Sequence, residues 1–107
     1  MTFYIKRNDT SPSLLGTLED GAGAAVNVNG ATVRFHLRSF GAQAIKVDAA
    51  AVVVSGLTGV VRYDWQPGDT DTIGSYQAEF EVTYADGTIE TFPNDGYTRV
   101  EIVGDIA

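Results

Sequence analysis

His36 is the only histidine of the chain and therefore the first candidate for acid–base chemistry or metal binding. It lies between Arg34 and Arg38 in the segment 31–39, where apolar and polar residues alternate. A general base needs a substrate proton or a nucleophile within reach, and a metal needs further ligands nearby. The spacing indicates neither, so we expect a solvated histidine on the polar face of a strand, or one at a protein interface.

Four aspartates, Asp64, Asp69, Asp71 and Asp95, lie in or beside turn-forming segments and could approach one another at one end of the fold. Loop carboxylates can bind Ca²⁺, which takes about six to eight oxygen ligands. The spacing lacks the glycine and glutamate positions of an EF-hand loop. Because aspartates in turns more often cap backbone groups, we expect no metal site, with a loop-bound cation as the alternative.

Glu79 and Glu81 share one face of a predicted strand, where residues two apart are separated by about 6.6–6.8 Å. That separation is compatible with a glycosidase carboxylate pair. Nothing in the surrounding sequence indicates an apolar pocket around either glutamate. We therefore predict that Glu79 and Glu81 form cross-strand ion pairs with Arg34, Arg38 and Arg62.

Composition excludes several classes of protein. The chain has 107 residues and no cysteine, which excludes disulfides, thiolate metal sites and a thiol nucleophile. Seven basic and fourteen acidic residues give a net charge of −7, which disfavours nucleic acid and anionic membranes as partners. The longest apolar run is six residues, at 49–54, whereas a membrane span needs about 20. We expect no catalytic residues, no cofactor, and neither nucleic acid nor a membrane as partner.

Strict alternation of apolar and polar residues, with glycines breaking every candidate helix, predicts β-strands throughout. Val33, Phe35 and Leu37 form one such apolar face. Val61, Tyr63 and Trp65 form another, which favours core packing of these two aromatic rings. The predicted strands are residues 3–7, 14–18, 31–39, 44–48, 51–54, 60–65, 75–84, 89–92 and 97–103.

Turn signals indicate how these strands connect. Asp86-Gly87 suits the positive φ angles of a tight two-residue hairpin turn. Residues 93–96 interrupt the last part of the chain. Tyr76, near the start of the longest strand, matches the tyrosine corner of immunoglobulin-type sandwiches. We predict an all-β fold, an antiparallel immunoglobulin-like β-sandwich of about seven to nine short strands, in a single domain over residues 1–107.

Several segments together resemble the N-terminal immunoglobulin-like domain of bacteriophage baseplate upper proteins and related phage tail proteins. They occur in order and cover almost the whole chain. The segments are residues 3–10 with Pro12 and Leu14, 18–21, 29–37, 59–65 with 68–70, 74–80, 85–87, 91–93 and 96–97. In that family the domain is an anchoring module that docks onto other tail or baseplate subunits, and it has no catalytic residues to carry over.

The resemblance implies a non-enzymatic structural component of a bacteriophage virion, in the tail, baseplate or head–tail region, acting by protein–protein docking during assembly. It implies other virion subunits as partners, a homo-oligomer or symmetric ring in the particle, and residence in the host cytoplasm during assembly. The resemblance does not extend to the helical linker and distal region of the family, so a receptor-binding connection is left open. A head–tail connector accessory, a tail-tube or capsid decoration subunit and a minor tail protein remain open placements.

An alternative function is a carbohydrate-binding or host-adhesion β-sandwich. Aromatic platforms for a sugar could come from Tyr4, Tyr63, Trp65 and Tyr97 if their rings face solvent. The predicted core position of Tyr63 and Trp65 favours the docking function over this one.

Overall fold

The computed structural model describes residues 2–42 and 44–106; Met1, Gln43 and Ala107, the remainder of the predicted 1–107 domain, lie outside the described residues. The described residues form nine strands, which confirms the all-β prediction. Their bounds are β1 Thr2–Lys6, β2 Leu14–Thr17, β3 Thr32–Ser39, β4 Val47–Ala50, β5 Val52–Ser55, β6 Val60–Tyr63, β7 Gly74–Thr83, β8 Ile89–Phe92 and β9 Thr98–Val103. Over the described ranges, no helix has the length and apolar character needed to cross a bilayer.

The larger sheet has six strands in the order β1-β9-β7-β3-β4, with β8 also paired to β7. Strands β8 and β9 share one edge of β7, since Phe92 lies opposite Phe80 and Thr98 lies opposite Ala78. The interruption between them covers residues 93–97, one residue more than the predicted 93–96, because β9 begins at Thr98 instead of Tyr97. Pro93 has no N–H to continue the hydrogen-bond ladder, so the chain leaves β7 after Phe92. It pairs with β7 again from Thr98, at a position two residues along β7 from Phe80.

The smaller sheet has three antiparallel strands in the order β2-β6-β5. Apart from β1, the described pairings are antiparallel as predicted. The exception is β1, which runs parallel to β9. A parallel pair needs a long connection, and here almost the entire fold separates the two strands.

The core between the sheets is formed by the predicted apolar faces. Val33, Phe35 and Leu37 of β3 are buried, and so are Tyr63 and Trp65. The rings of Phe35 and Tyr63 stack at a centroid distance of 4.2 Å, and Trp65 meets both edge-on. Complete burial of one such apolar side chain contributes about 1.5–3 kcal/mol, so this aromatic cluster fixes how the two sheets face each other.

Strands β4 and β5 begin later than predicted, at Val47 and Val52 instead of residues 44 and 51. The two strands belong to different sheets, although a single residue, Ala51, separates them. The Ala51 N–H still donates to the Val33 carbonyl at 2.9 Å. The chain therefore crosses from the larger to the smaller sheet immediately after this bond.

The hairpin between β7 and β8 differs from the predicted two-residue turn. Tyr84 N donates to Thr88 O at 2.8 Å, and Gly87 N donates to Tyr84 O at 2.9 Å. Gly87 has a φ of +89°, whereas Asp86 is not among the residues with positive φ. This is a three-residue loop that ends in a left-handed glycine. Asp86 instead accepts hydrogen bonds from the backbone N–H and hydroxyl of Thr88.

The tyrosine corner is confirmed. The Tyr76 hydroxyl donates to the carbonyl of Thr72 at 2.7 Å, and the ring is buried. In immunoglobulin sandwiches one sheet contains strands B, E and D, and the other contains C, F and G. Here β2, β6 and β5 occupy the first set of positions, and β3, β7 and β9 the second. The fold is therefore an immunoglobulin-like all-β sandwich.

Candidate docking surfaces

The outer face of the larger sheet carries His36, which lies between two carboxylates. Its Nδ1 is 3.1 Å from Glu79 Oε2, and its Nε2 is 3.3 Å from Asp48 Oδ1. The side chain is only 19% exposed. Because both ring nitrogens contact carboxylate groups on neighbouring strands, the imidazole joins β3 to β7 and β4. This arrangement favours a structural role on the strand surface.

The predicted ion pairs of Glu79 and Glu81 are wrong in their partners. Arg34 lies opposite Glu81 in the strand register, but its Nε donates to Asp48 Oδ1 on β4 at 2.8 Å. The Arg34 guanidinium beside Asp48 holds the pKa of that carboxyl below its usual value. Glu79 contacts His36 instead of an arginine.

Arg38 and Arg62 also have other partners than predicted. Arg38 Nε donates to Gln77 Oε1 at 3.0 Å. Arg62 lies in the smaller sheet, where its Nε donates to Asp64 Oδ1 at 2.7 Å. Arg38 thus bonds the residue directly opposite it on β7. Arg34 and Arg62 instead bond aspartates on β4 and immediately after β6.

The four loop aspartates do not converge. Asp64 accepts hydrogen bonds from Ser13 and Arg62, which hold its pKa below the usual value. The pKa of Asp71 is held below its usual value by the hydrogen bond from Lys46, at 2.7 Å. Over residues 2–42 and 44–106, no cluster of three or more histidine, cysteine, aspartate or glutamate residues is placed to hold a metal ion.

Asp69 and Asp95 lie in different surroundings from these two. Asp69 accepts from the Tyr63 hydroxyl and from Gln66 N. Burial, followed by this bond, raises the pKa of Tyr63. Asp95 instead lines a groove on another flank of the sandwich. Asp69 thus supports the turn after β6, as expected for a turn aspartate.

An exposed aromatic pair lies at the side of the larger sheet. Phe40 and Tyr97 meet edge-on at a centroid distance of 5.2 Å, and the Arg99 guanidinium lies 5.2 Å from the Phe40 ring centre. Tyr97 also lines a shallow groove of about 220 Å³, together with polar side chains of β3 and β7. Aromatic and arginine side chains are enriched at protein interfaces, so this pair is one candidate contact region.

The outer face of the smaller sheet carries mainly aliphatic side chains, whereas that of the larger sheet carries charged ones. Leu15 of β2 and Val52 of β5 flank Arg62 in one cross-strand row. Leu15, Val52, Val54 and the turn residue Leu57 are all exposed. Exposed apolar residues that adjoin one another mark contact surfaces more often than isolated ones do. This face is a second candidate contact region.

A third region is a groove of about 360 Å³ beside the free edge of β2. We call it the β2 groove. Its walls are residues 14–21, the rings of Phe80 and Phe92, residues 93–95 and Thr98. No motif in the sequence predicts this groove. The edge status of β2 depends on sheet order, which alternation of residues does not encode.

Comparison with known proteins supports the fold. No protein-family model and no curated protein matches the chain. Among solved structures, the chain is similar to the crystal structure of CopC from Methylosinus trichosporium OB3b, with a TM-score of 0.51 and 15% sequence identity. The match covers 99% of this chain and 87% of that chain. At this level of identity the likeness concerns the fold alone.

Proposed function

We propose that this protein is a non-enzymatic structural component of a bacteriophage virion that acts by docking onto other virion subunits during assembly. The observation that carries the proposal is the ordered set of segments, from residue 3 to residue 97, that resembles the immunoglobulin-like domain of phage baseplate and tail proteins. That resemblance implies an immunoglobulin-like sandwich, and the chain has this fold.

The resembling segments also occupy positions that build the sandwich. Residues 29–37 include the buried face of β3, and residues 59–65 include Tyr63 and Trp65. Residues 74–80 include the tyrosine corner. A resemblance carried by residues that fix the packing of the two sheets supports a shared architecture more strongly than one carried by loops.

The surface chemistry suits docking better than catalysis. His36 contacts a carboxylate at each ring nitrogen, and the loop aspartates have separate partners. The exposed aliphatic face of the smaller sheet and the Phe40–Tyr97 pair provide contact surfaces. Virion assemblies are symmetric, so we propose repeated copies in a ring or other homo-oligomer, formed in the host cytoplasm and retained in the particle.

Mass spectrometry of purified particles of the encoding phage tests this function. We expect the chain to remain with the particles through density-gradient purification and a wash at high salt. A host cytoplasmic protein of similar abundance serves as the control and should be lost. Absence of the chain from washed particles would contradict the proposal.

A carbohydrate-binding or host-adhesion module is the second candidate, favoured by the exposure of two of the four predicted platform residues, Tyr4 and Tyr97. Tyr97 is 44% exposed beside the 220 Å³ groove that Arg38, Gln77 and Glu79 also line. Tyr63 and Trp65 are buried and provide no platform. A glycan array with the wild-type chain and with Tyr97→Ala tests this role, which requires binding that the substitution removes.

A further inference from the structure

The free edge of β2 presents unpaired main-chain groups. Leu18 N donates to Gly59 O at 2.8 Å, which directs the Leu18 N–H toward the β6 side, and the Leu18 carbonyl accepts from Val26 N at 2.9 Å. Hydrogen-bonding direction alternates along an antiparallel strand. Gly16 therefore also bonds toward β6, and the N–H and C=O groups of Leu15 and Thr17 point away from the sheet.

The position beside this edge is one that a strand occupies in related sandwiches. In immunoglobulin domains the corresponding sheet has four strands, with strand A next to strand B. In this chain β1 instead pairs with β9 of the larger sheet. The flank of β2 is consequently open, and the β2 groove runs along it.

The floor of the β2 groove is aromatic and close to the β2 backbone. Phe80 and Phe92 line it although they are only 5% and 2% exposed, and Pro93 and Leu15 extend the apolar lining. Gly16 brings the backbone near this floor, since a Cβ atom at residue 16 would lie 2.9 Å from Phe80 Cε2. An added strand would thus meet both an unpaired hydrogen-bonding edge and apolar surface for its inward side chains.

The charge of the groove is of one sign. Glu19, Asp20 and Asp95 are among its lining residues, whereas no lysine or arginine of the described chain lines it. The whole chain also carries a net charge of −7. Charge complementarity at interfaces steers association and selects partners, so an occupant with lysine or arginine side chains is favoured over an acidic one.

The opposite edge of the same sheet is less suited to strand addition. The pairing of β5 with β6 shifts register between Val53 and Ser55, which leaves Val54 as an extra residue. Such bulges twist an edge strand and hinder edge-to-edge pairing. Strand β2 pairs with β6 over four consecutive residues without a shift.

We propose that the β2 groove receives an extended, basic segment of a neighbouring protein, which adds to β2 as a fourth strand of the smaller sheet. The main chain of the segment pairs with Leu15 and Thr17, and its lysine or arginine side chains face Glu19, Asp20 and Asp95. This mode is β-augmentation. The inference deepens the proposed docking function and rests on it.

Selection from a random twelve-residue peptide library on the purified full chain tests the inference without a phage particle. We expect the selected peptides to be rich in β-branched and basic residues. In ¹⁵N–¹H NMR spectra they should shift the amides of Leu15 and Thr17 and slow the hydrogen exchange of those amides. Acidic peptides, peptides that shift only other regions, or no selected peptide would overturn the inference, even if the chain is a virion component.

Two kinds of variant then locate the binding. Thr17→Pro removes an outward N–H, and we expect it to weaken the selected peptides by about tenfold or more. Ala50→Pro is the matched control on the open edge of β4, where alternation from the Ala51–Val33 bond also directs the residue 50 N–H outward. It should leave affinity unchanged. Equal affinities of folded Thr17→Pro and wild type would overturn the inference.

The paired substitution Glu19→Gln with Asp95→Asn gives a test that leaves the backbone unaltered. It should weaken the same peptides and flatten the dependence of their affinity on salt concentration. This variant decides the question if Thr17→Pro does not fold. An unchanged affinity with an unchanged salt dependence would contradict the assigned charge complementarity.

Discussion

The outer faces of the two sheets differ in how far contacts within the chain pair their polar groups and cover their apolar side chains. On the larger sheet, charged groups contact one another across strands, as in Arg34–Asp48 and His36–Glu79. On the smaller sheet, the exposed side chains are largely aliphatic, and the β2 edge has main-chain groups directed away from the sheet. The larger sheet therefore pairs many of its charges within the chain, whereas the smaller sheet exposes aliphatic side chains and main-chain groups.

The same difference makes the smaller sheet the better candidate for the docking that we propose. Replacing an internal ion pair by an intermolecular one gains little, because exposed pairs contribute about 0–1 kcal/mol. Covering aliphatic surface and pairing free main-chain groups makes contacts that the isolated chain does not make. We therefore assign docking mainly to the smaller sheet and its β2 groove.

The largest effect is expected from a substitution in the core that the two sheets share. Phe35→Ala deletes a fully buried ring that stacks on Tyr63. We expect it to lower the free energy of unfolding by about 3–5 kcal/mol. Val52→Ala, on the exposed outer face of the smaller sheet, is the control and should change it by less than about 0.5 kcal/mol. Urea unfolding measures both, and similar losses would contradict the assigned core.

The next effect concerns the wall of the β2 groove. Gly16→Ala places a Cβ atom 2.9 Å from the Phe80 ring, so the ring or the strand must shift. We expect a loss of about 1–3 kcal/mol in the free energy of unfolding. Gly21→Ala is the matched control, because a Cβ atom at that position meets no atom within 4 Å. Thermal unfolding should give a lower midpoint for Gly16→Ala than for Gly21→Ala. An unchanged midpoint for Gly16→Ala would mean that the groove is wider than described.

A smaller effect is expected at the tyrosine corner of the larger sheet. Tyr76→Phe removes the hydroxyl that donates to the Thr72 carbonyl and keeps the buried ring. The expected loss in the free energy of unfolding is about 1 kcal/mol. Tyr4→Phe, at a strongly exposed ring, is the control and should be neutral. Equal stability of wild type and both variants in urea would contradict a stabilising role of the tyrosine corner.

The smallest effect is a decline of stability just above pH 10, to which tyrosines near both sheets contribute. Burial, then the hydrogen bond to Glu90, raises the pKa of Tyr84 to about 12. Burial raises the pKa of Tyr63 as well. A folded-state pKa above the unfolded value of about 10 means that this stabilisation is present below pH 10 and is lost as the pH rises toward 12.

Urea unfolding at about pH 9 and about pH 11 measures this decline. Tyr63→Phe and Tyr84→Phe should each reduce its slope. A slope that is the same in wild type and both variants would contradict the assigned tyrosines.

Local pattern predicted most of the fold. The alternation around Phe35 and around Tyr63 assigned the core faces correctly, and the bounds of β8 were predicted without error. The crossing between sheets at Ala51 was not predictable, because the apolar run 49–54 has no polar residue to mark it. The hairpin at Gly87 has an extra loop residue that an Asp-Gly pair does not reveal.

The candidate surfaces were less predictable than the fold. Alternation placed His36 on the polar face, but its carboxylate partners come from β4 and β7, whose order in the sheet is a property of the whole chain. The open edge of β2 depends on β1 joining the other sheet. Neither feature has a local sequence signal, so both required the tertiary structure.

Hydrogen exchange of this chain, measured by mass spectrometry free in solution and within purified phage particles, tests the docking function most directly. The account predicts that the chain is present in the particles and that its 14–18 segment exchanges much more slowly there, whereas segment 47–50 of the β4 edge is unchanged. A chain missing from the particles would contradict the virion role. Equal exchange of segment 14–18 in both states would contradict docking through β2.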